Sequence, residues 1–420
     1  LVRKMNFLRN FFGLIVILFL GGLFLTNCSN GGMAVRQAPV SISSPASSTA
    51  PQITKMLKSS QDAPAAPAAQ VAPESLVLPP PSPASFKKGA YASSKHQKVK
   101  GIYVSAWSLT SSKFPKLLEL MDATDLNAMV IDLKTDAGQV TYRSSVPMVG
   151  SIGANSNVII SDIKGKIKQL KDKHIYTIAR IVVFKDPYLS IHQKDYALKE
   201  KSGKVWLDPK GVAWVDPYKE KVWEYNIQIA KEAVQLGFDE IQFDYVRFPE
   251  NGKRLDQEVR FDNEKGWSKA QVIEAFLKKA KEEVGAYISA DVFGLTTSSK
   301  DDMGIGQDWM LISKEVDVIS PMIYPSHYSR GVYNIENPDL QPYAVVNKAV
   351  ADANKKNDQL YQAQITPALI RPWFQDFTAT WVHPHKKYGL LDVKEQIKAA
   401  HELGIEEFLL WNSGSSYSYQ

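Results

Sequence analysis

The chain has 420 residues, 44% of them hydrophobic and 22% charged, with 50 Lys and Arg against 44 Asp and Glu. That is the composition of a folded protein, and a net charge of +6 with no dense basic block and no recognition motif argues against a nucleic-acid partner. A single cysteine, Cys28, excludes an intramolecular disulfide.

Residues 1–27 read as a targeting signal. Arg3, Lys4 and Arg9 flank the start of an apolar run, Phe11 to Leu20, and Leu25-Thr26-Asn27-Cys28 follows it. A basic, then apolar, then small or polar layout is that of a signal peptide, and the run falls short of the ~20 residues that span a bilayer. The tetrad resembles a bacterial lipobox, although Asn27 replaces the usual small residue. The resemblance implies that Cys28 is lipidated and holds the protein at the extracellular face of the bacterial cell membrane. A plain membrane anchor is the other reading. Residues 28–97 are rich in Ser, Ala and Pro, as in Pro79-Pro80-Pro81. Such a stretch buries too little apolar surface to offset its ordering entropy, so it is expected to be a disordered tether.

From 98 to 420, short β-rich runs alternate with amphipathic helical patterns. Strands are expected at 99–106, 128–133, 176–184, 240–246, 287–293, 316–323, 360–366 and 407–411. Helices are expected at 113–123, 162–173, 219–236, 269–284, 344–355 and 393–403. Asp216-Pro217 reads as a helix start, and Gly237 and Gly404 as helix stops. Eight strands with helices or long excursions between them predict a (β/α)8 TIM barrel over 98–420. An open doubly wound sheet would carry a Gly-rich first turn, which Val104-Ser105-Ala106-Trp107 is not.

Side chains alternate between the two faces of a strand. One face of the fourth strand carries Gln242 and Asp244, and one face of the fifth carries Ser289 and Asp291. The sixth leads to Ser320, Met322 and Tyr324, the second to Asp132 and Lys134, the seventh to Gln362 and Gln364, and the eighth to Trp411 and Asn412. Polar residues gathered at the C-terminal ends of barrel strands predict a catalytic mouth there.

Glycoside hydrolysis needs two carboxyl groups flanking the bond, within roughly 5–10 Å of each other. Asp244 and Asp291, ending adjacent strands, are the candidate nucleophile or base and the candidate acid, with Glu250 in reserve. Arg247, three residues past Asp244, is expected to keep that carboxyl ionised. Asp132 and Lys134 read equally as a structural ion pair or as the floor of the site. Substrate contacts are expected from Trp107, Arg247, Tyr324, His327, Gln364, Trp373, Trp411 and Asn412, with wall packing the alternative for the tryptophans. The excursion over 185–215 adds Tyr188, Trp206, Asp208 and Trp214 as candidate walls.

No cofactor is expected. His383-Pro384-His385 lacks a third ligand at zinc spacing, and no Gly-x-Ser-x-Gly elbow occurs.

Several segments resemble a family of bacterial glycosyl hydrolase domains. They are Phe238-Asp239-Glu240-Ile241-Gln242-Phe243-Asp244-Tyr245-Val246-Arg247-Phe248-Pro249, Ser289-Ala290-Asp291-Val292-Phe293-Gly294, Pro321-Met322-Ile323-Tyr324-Pro325-Ser326-His327-Tyr328 and Arg371-Pro372-Trp373-Phe374-Gln375-Asp376-Phe377. The resemblance implies a barrel related to α-amylases and α-galactosidases, in which an Asp closing the fourth strand is commonly the nucleophile; that position is Asp244. The expected protein is a monomeric surface glycosidase acting on a cell-wall or extracellular polysaccharide. A non-catalytic glycan-binding barrel and a surface interaction scaffold fit the same residues.

Overall fold

The computed structural model describes residues 97–250 and 252–419. The signal peptide, the lipidation of Cys28 and the tether lie outside these residues.

The barrel is built from β1 (Lys100–Val104), β2 (Ala128–Lys134), β3 (Tyr176–Val182), β4 (Glu240–Asp244), β5 (Tyr287–Phe293), β6 (Val318–Ile323), β7 (Leu369–Ile370), β8 (Trp373–Gln375) and β9 (Phe408–Trp411). All are parallel to their neighbours. β1 pairs with β2 and with β9, and β7 and β8 both pair with β6 while β8 reaches β9, so the sheet closes. β7 and β8 are two halves of one stave, giving an eight-stave (β/α)8 barrel. The interruption between them is Arg371-Pro372: proline has no N–H to give to a ladder, while both halves keep the same register against β6.

The staves are separated by α1 (Lys113–Ala123), α2 (Ile163–Asp172), α3 (Glu220–Gln235), α4 (Lys269–Val284), α5 (Trp309–Ser313), α6 (Pro342–Gln362) and α7 (Leu390–His401). Each longer helix lays an apolar stripe on the outside of the sheet; in α3 this is Val222, Trp223, Ile227, Ile229, Ala230 and Ala233. Ser268 caps α4 through a reciprocal box with Gln271. Gly237, at φ 102° just past α3, ends that helix in a conformation that disfavours side chains. The expected start at Asp216-Pro217 is displaced. The Asp216 carboxylate accepts from Tyr218 N and Asp262 N, tying two loops together, and α3 begins three residues after Pro217.

The expected strand at 360–366 is wrong. α6 continues through it to Gln362, and Gln364 sits exposed in a turn at φ 62° before β7. The alternation of Leu360, Gln362 and Gln364 imitates a strand, but the apolar face of α6 (Val346, Ala349, Val350, Ala353, Leu360) holds a helical period to its end. The true stave, broken by Arg and Pro, shows no clean alternation.

The core has two parts. A large cluster fills the space between sheet and helices, and a smaller one fills the barrel itself, where Tyr103, Ala128, Val130, Ile178, Tyr324, Trp373 and Leu409 meet. At the N-terminal floor, buried Arg371 bridges Glu240 of β4 (2.8 Å) and Glu407 beside β9 (2.8 Å). The mouth, at the C-terminal strand ends, is left for chemistry.

Candidate active site

Asp244 is the last residue of β4, and Asp291 lies one position beyond the Phe243↔Ala290 pair on the neighbouring strand. Both are buried and on the lumen face. Parallel strands run about 4.8 Å apart, so the two carboxyls stand side by side in the mouth.

Their surroundings differ. Arg180, from β3, donates to Asp244 Oδ2 through Nε (2.9 Å) and Nη2 (2.5 Å) and to Asp132 Oδ1 through Nη1 (2.6 Å). Tyr103 Oη donates to the other Asp132 oxygen at 2.5 Å. The chain Tyr103–Asp132–Arg180–Asp244 crosses four adjacent staves. Asp244 Oδ1 accepts the backbone N–H of Tyr245, a residue held at φ 49°. A non-glycine residue in that region is strained, and such strain is characteristic of functional turns.

Among the described residues, Asp291 has no cationic partner in contact. Its Oδ1 accepts the indole N–H of Trp373 at 2.7 Å. Burial, followed by the negative charge of Asp244, pushes the Asp291 carboxyl well above the ordinary carboxylate range; the Trp373 hydrogen bond and Arg180 oppose this. Tyr324, buried at the end of β6, has its phenol raised by burial and then by the charges of Asp291 and Asp244. Trp411 completes this wall, its ring centre 4.2 Å from that of Tyr103 at a tilt of 30°, with the Arg180 guanidinium 5.6 Å from the indole centre.

The structure therefore brings Asp244, Asp291, Asp132, Tyr324, Trp373 and Trp411 together. Trp373 is not an open platform: it is buried and positions Asp291. Trp107 and His327 are exposed at the mouth, Trp107 on the short helix after β1 and His327 after β6.

The remaining candidates are placed elsewhere. A register shift between Asp132 and Lys134 turns Lys134 out of the lumen into the helix layer. There it pairs with buried Asp186 (2.6 Å) and donates to Val182 O and Asn226 Oδ1. Arg247 is buried with its guanidinium against Phe293 (4.5 Å), Tyr245 and Trp214, and it donates to Phe248 O. Arg180 takes the ion-pairing role expected of it. Glu250 is exposed and pairs with Arg247 at 3.3 Å, outside the lumen. Asn412 donates to Asp376 O and accepts from Gly414 N, shaping the turn after β9. Gln364 precedes β7, at the opposite end of the barrel from the carboxyls.

The 185–215 excursion is architectural. Trp206 is buried on Glu258, Trp214 is buried on Asp208, and Tyr188 donates to Gly153 O. Tyr103 and Arg180 were not singled out from the sequence. The one available signal was a lone Arg inside Ile178-Ala179-Arg180-Ile181-Val182.

A family described as "Putative glycosyl hydrolase domain" matches residues 101–417. Among solved structures, the glycoside hydrolase domain of PgaB (BpsB) from Bordetella bronchiseptica superposes with a TM-score of 0.53 at 13% identity. The match covers 76% of this chain and 95% of that one, and it shows the shared barrel fold. A hypothetical protein from Ruminiclostridium thermocellum is 37% identical over 48% of this chain and 98% of its own, with a TM-score of 0.42. An α-galactosidase from Thermus thermophilus matches at 12% identity and a TM-score of 0.45, covering 76% of this chain and 59% of that one. No curated protein matches the sequence.

Proposed function

Since the chain belongs to the glycosyl hydrolase domain family matched over residues 101–417, we propose that it hydrolyses glycosidic bonds in a cell-wall or extracellular polysaccharide. Asp244 is the nucleophile or base and Asp291 the general acid. The observation that carries this reading is the asymmetry of the two neighbouring carboxyls. One accepts two hydrogen bonds from the Arg180 guanidinium, and the other is buried beside it on the Trp373 indole with its carboxyl raised well above the ordinary range. Two adjacent carboxyls with different environments are what acid–base division of labour requires.

In the reaction, Asp291 passes its proton to the glycosidic oxygen as the bond to the anomeric carbon breaks. Asp244 either attacks that carbon or takes a proton from the water that does. The Tyr324 hydroxyl and the Trp411 face position the sugar. The Asp132–Arg180 pair holds Asp244 in place and limits its movement.

The N-terminal sequence supports a setting for this activity. A lipid on Cys28 and a Ser/Ala/Pro-rich tether would hold the barrel at the outer face of the membrane, beside such glycans.

The test uses the full chain with purified wall and exopolysaccharide fractions, counting released reducing ends. Asp244→Asn and Asp291→Asn should each lower the rate about 10²–10⁴-fold. Asp291→Asn should lose far less on an aryl glycoside, whose leaving group needs little protonation. Equal loss on both substrates would remove Asp291 from the acid role. No release by the parent chain, with binding intact, would leave a glycan-binding barrel.

A further inference from the structure

The aromatic lining does not stop at the carboxyls. Tyr324, in the lumen cluster with the Trp373 that holds Asp291, packs edge-on against Phe377 at 5.8 Å between ring centres. Phe377, just past the C-terminal end of β8, is half-buried against the lumen cluster. Its outer side is covered by Trp381, stacked nearly parallel at 6.1 Å and 15°. Trp381 is 65% exposed. His327 stands edge-on to the same indole at 6.5 Å and 88°, with its Nδ1 engaged by Ser326 Oγ at 3.0 Å.

We propose that Trp381, backed by Phe377 and flanked by His327, is an outer sugar-binding subsite, so that the mouth takes an extended glycan chain rather than a single terminal sugar. The proposal rests on the glycosidase reading and specifies its substrate class.

A lone exposed tryptophan is ordinary surface. Three observations set Trp381 apart. Its inner face is already stacked, so the indole is held flat with the opposite face open. Its loop is fixed from several sides: Gln375 Nε2 donates to Phe377 O, Tyr388 N to Thr378 Oγ1, Lys386 N to Asp339 Oδ2, and Val382 N to Ala379 O. A platform ordered before binding loses little entropy when a ligand lands on it. And two ring-to-ring steps connect it to Tyr324, a distance that a short run of linked pyranose rings covers.

The chemistry suits a sugar. One face of a pyranose presents C–H groups and its rim presents hydroxyls. Stacking on the indole buries the apolar face and leaves the hydroxyls in water or against the His327 edge. A large apolar protein partner would want a broader patch than one ring beside an imidazole.

Calorimetry on the full chain carrying Asp244→Asn, so that glycan is not cut, tests this with size-fractionated fragments of wall glycan and of exopolysaccharide. Affinity should rise about tenfold from the shortest fragments to those long enough to reach the indole. Adding Trp381→Ala should abolish that gain, and Trp381→Phe should restore most of it. Leu391→Ala, at an exposed position on α7, should keep the gain in full. A length dependence unaltered by Trp381→Ala overturns the subsite, and so does a failure of every fragment to bind. Reducing-end release by the parent chain is read separately. A gain with length in the absence of release keeps the subsite and removes the hydrolase reading.

Discussion

Asp291 carries the clearest pH expectation in the molecule. Burial and the neighbouring charge of Asp244 raise its carboxyl above the ordinary range. As a general acid it works while protonated, so kcat/KM should fall as pH rises through that raised value. The Trp373 indole N–H stabilises the ionised form and so restrains the shift. Trp373→Phe removes the donor and keeps much of the packing, and it should move the alkaline limb of the pH–rate profile upward. A limb that moves down, or stays, would mean that Trp373 does not act through Asp291. Arg180 is the other decisive side chain, because one buried guanidinium serves two buried carboxylates. Arg180→Met leaves Asp132 and Asp244 without their cation, which should cost about 3–5 kcal/mol in denaturant unfolding as well as turnover. A cost below about 1 kcal/mol would mean that other groups compensate the pair.

At the scale of the element, the end of β2 is the instructive case. Asp132 faces the lumen, and Lys134, two residues on, would share its face in a regular strand. The register shift between them sends Lys134 to the helix side, where it joins β2 to Asp186, to the end of β3 and to Asn226 of α3. Lys134→Ala would strand a buried Asp186 charge, at a cost of about 3–5 kcal/mol. Lys134→Met with Asp186→Asn removes both charges and keeps a side chain able to accept from Leu189 N, so it should regain most of that loss. Urea titration of the three proteins checks this, and catalytic rate per folded molecule should survive in the double variant. A rate that collapses with the fold intact would return Lys134 to the site.

At the scale of the whole molecule, the barrel depends on closure. β9 is the last stave, and it pairs with both β1 and β8. Arg371 ties the floor by bridging Glu240 and Glu407, residues far apart in the chain. Arg371→Leu should therefore lower the stability of the entire barrel by about 3–5 kcal/mol in one cooperative transition. Hydrogen exchange should show β2 and β5 losing protection together with β9. Loss confined to β7 to β9 would show that the floor is a local fastening only.

Much of this protein is legible residue by residue along its length. Hydrophobic period distinguishes helix from strand within a few residues, so β5 over Tyr287–Phe293 and α1 over Lys113–Ala123 match expectation at both ends. Alternation also marks Asp244 and Asp291 as lumen residues, because which face a residue takes is a local property of a regular strand. What the sequence cannot carry is anything set by registration between distant segments. The cation beside Asp244 comes from 64 residues upstream, not from Arg247 nearby, and the indole on Asp291 comes from 82 residues downstream. A shift of one residue sends Lys134 to the opposite face, and Arg371-Pro372 divides a stave that no periodic pattern announces. These outcomes are decided when the sheet closes, since only then do neighbouring strands fix which side chains share the lumen.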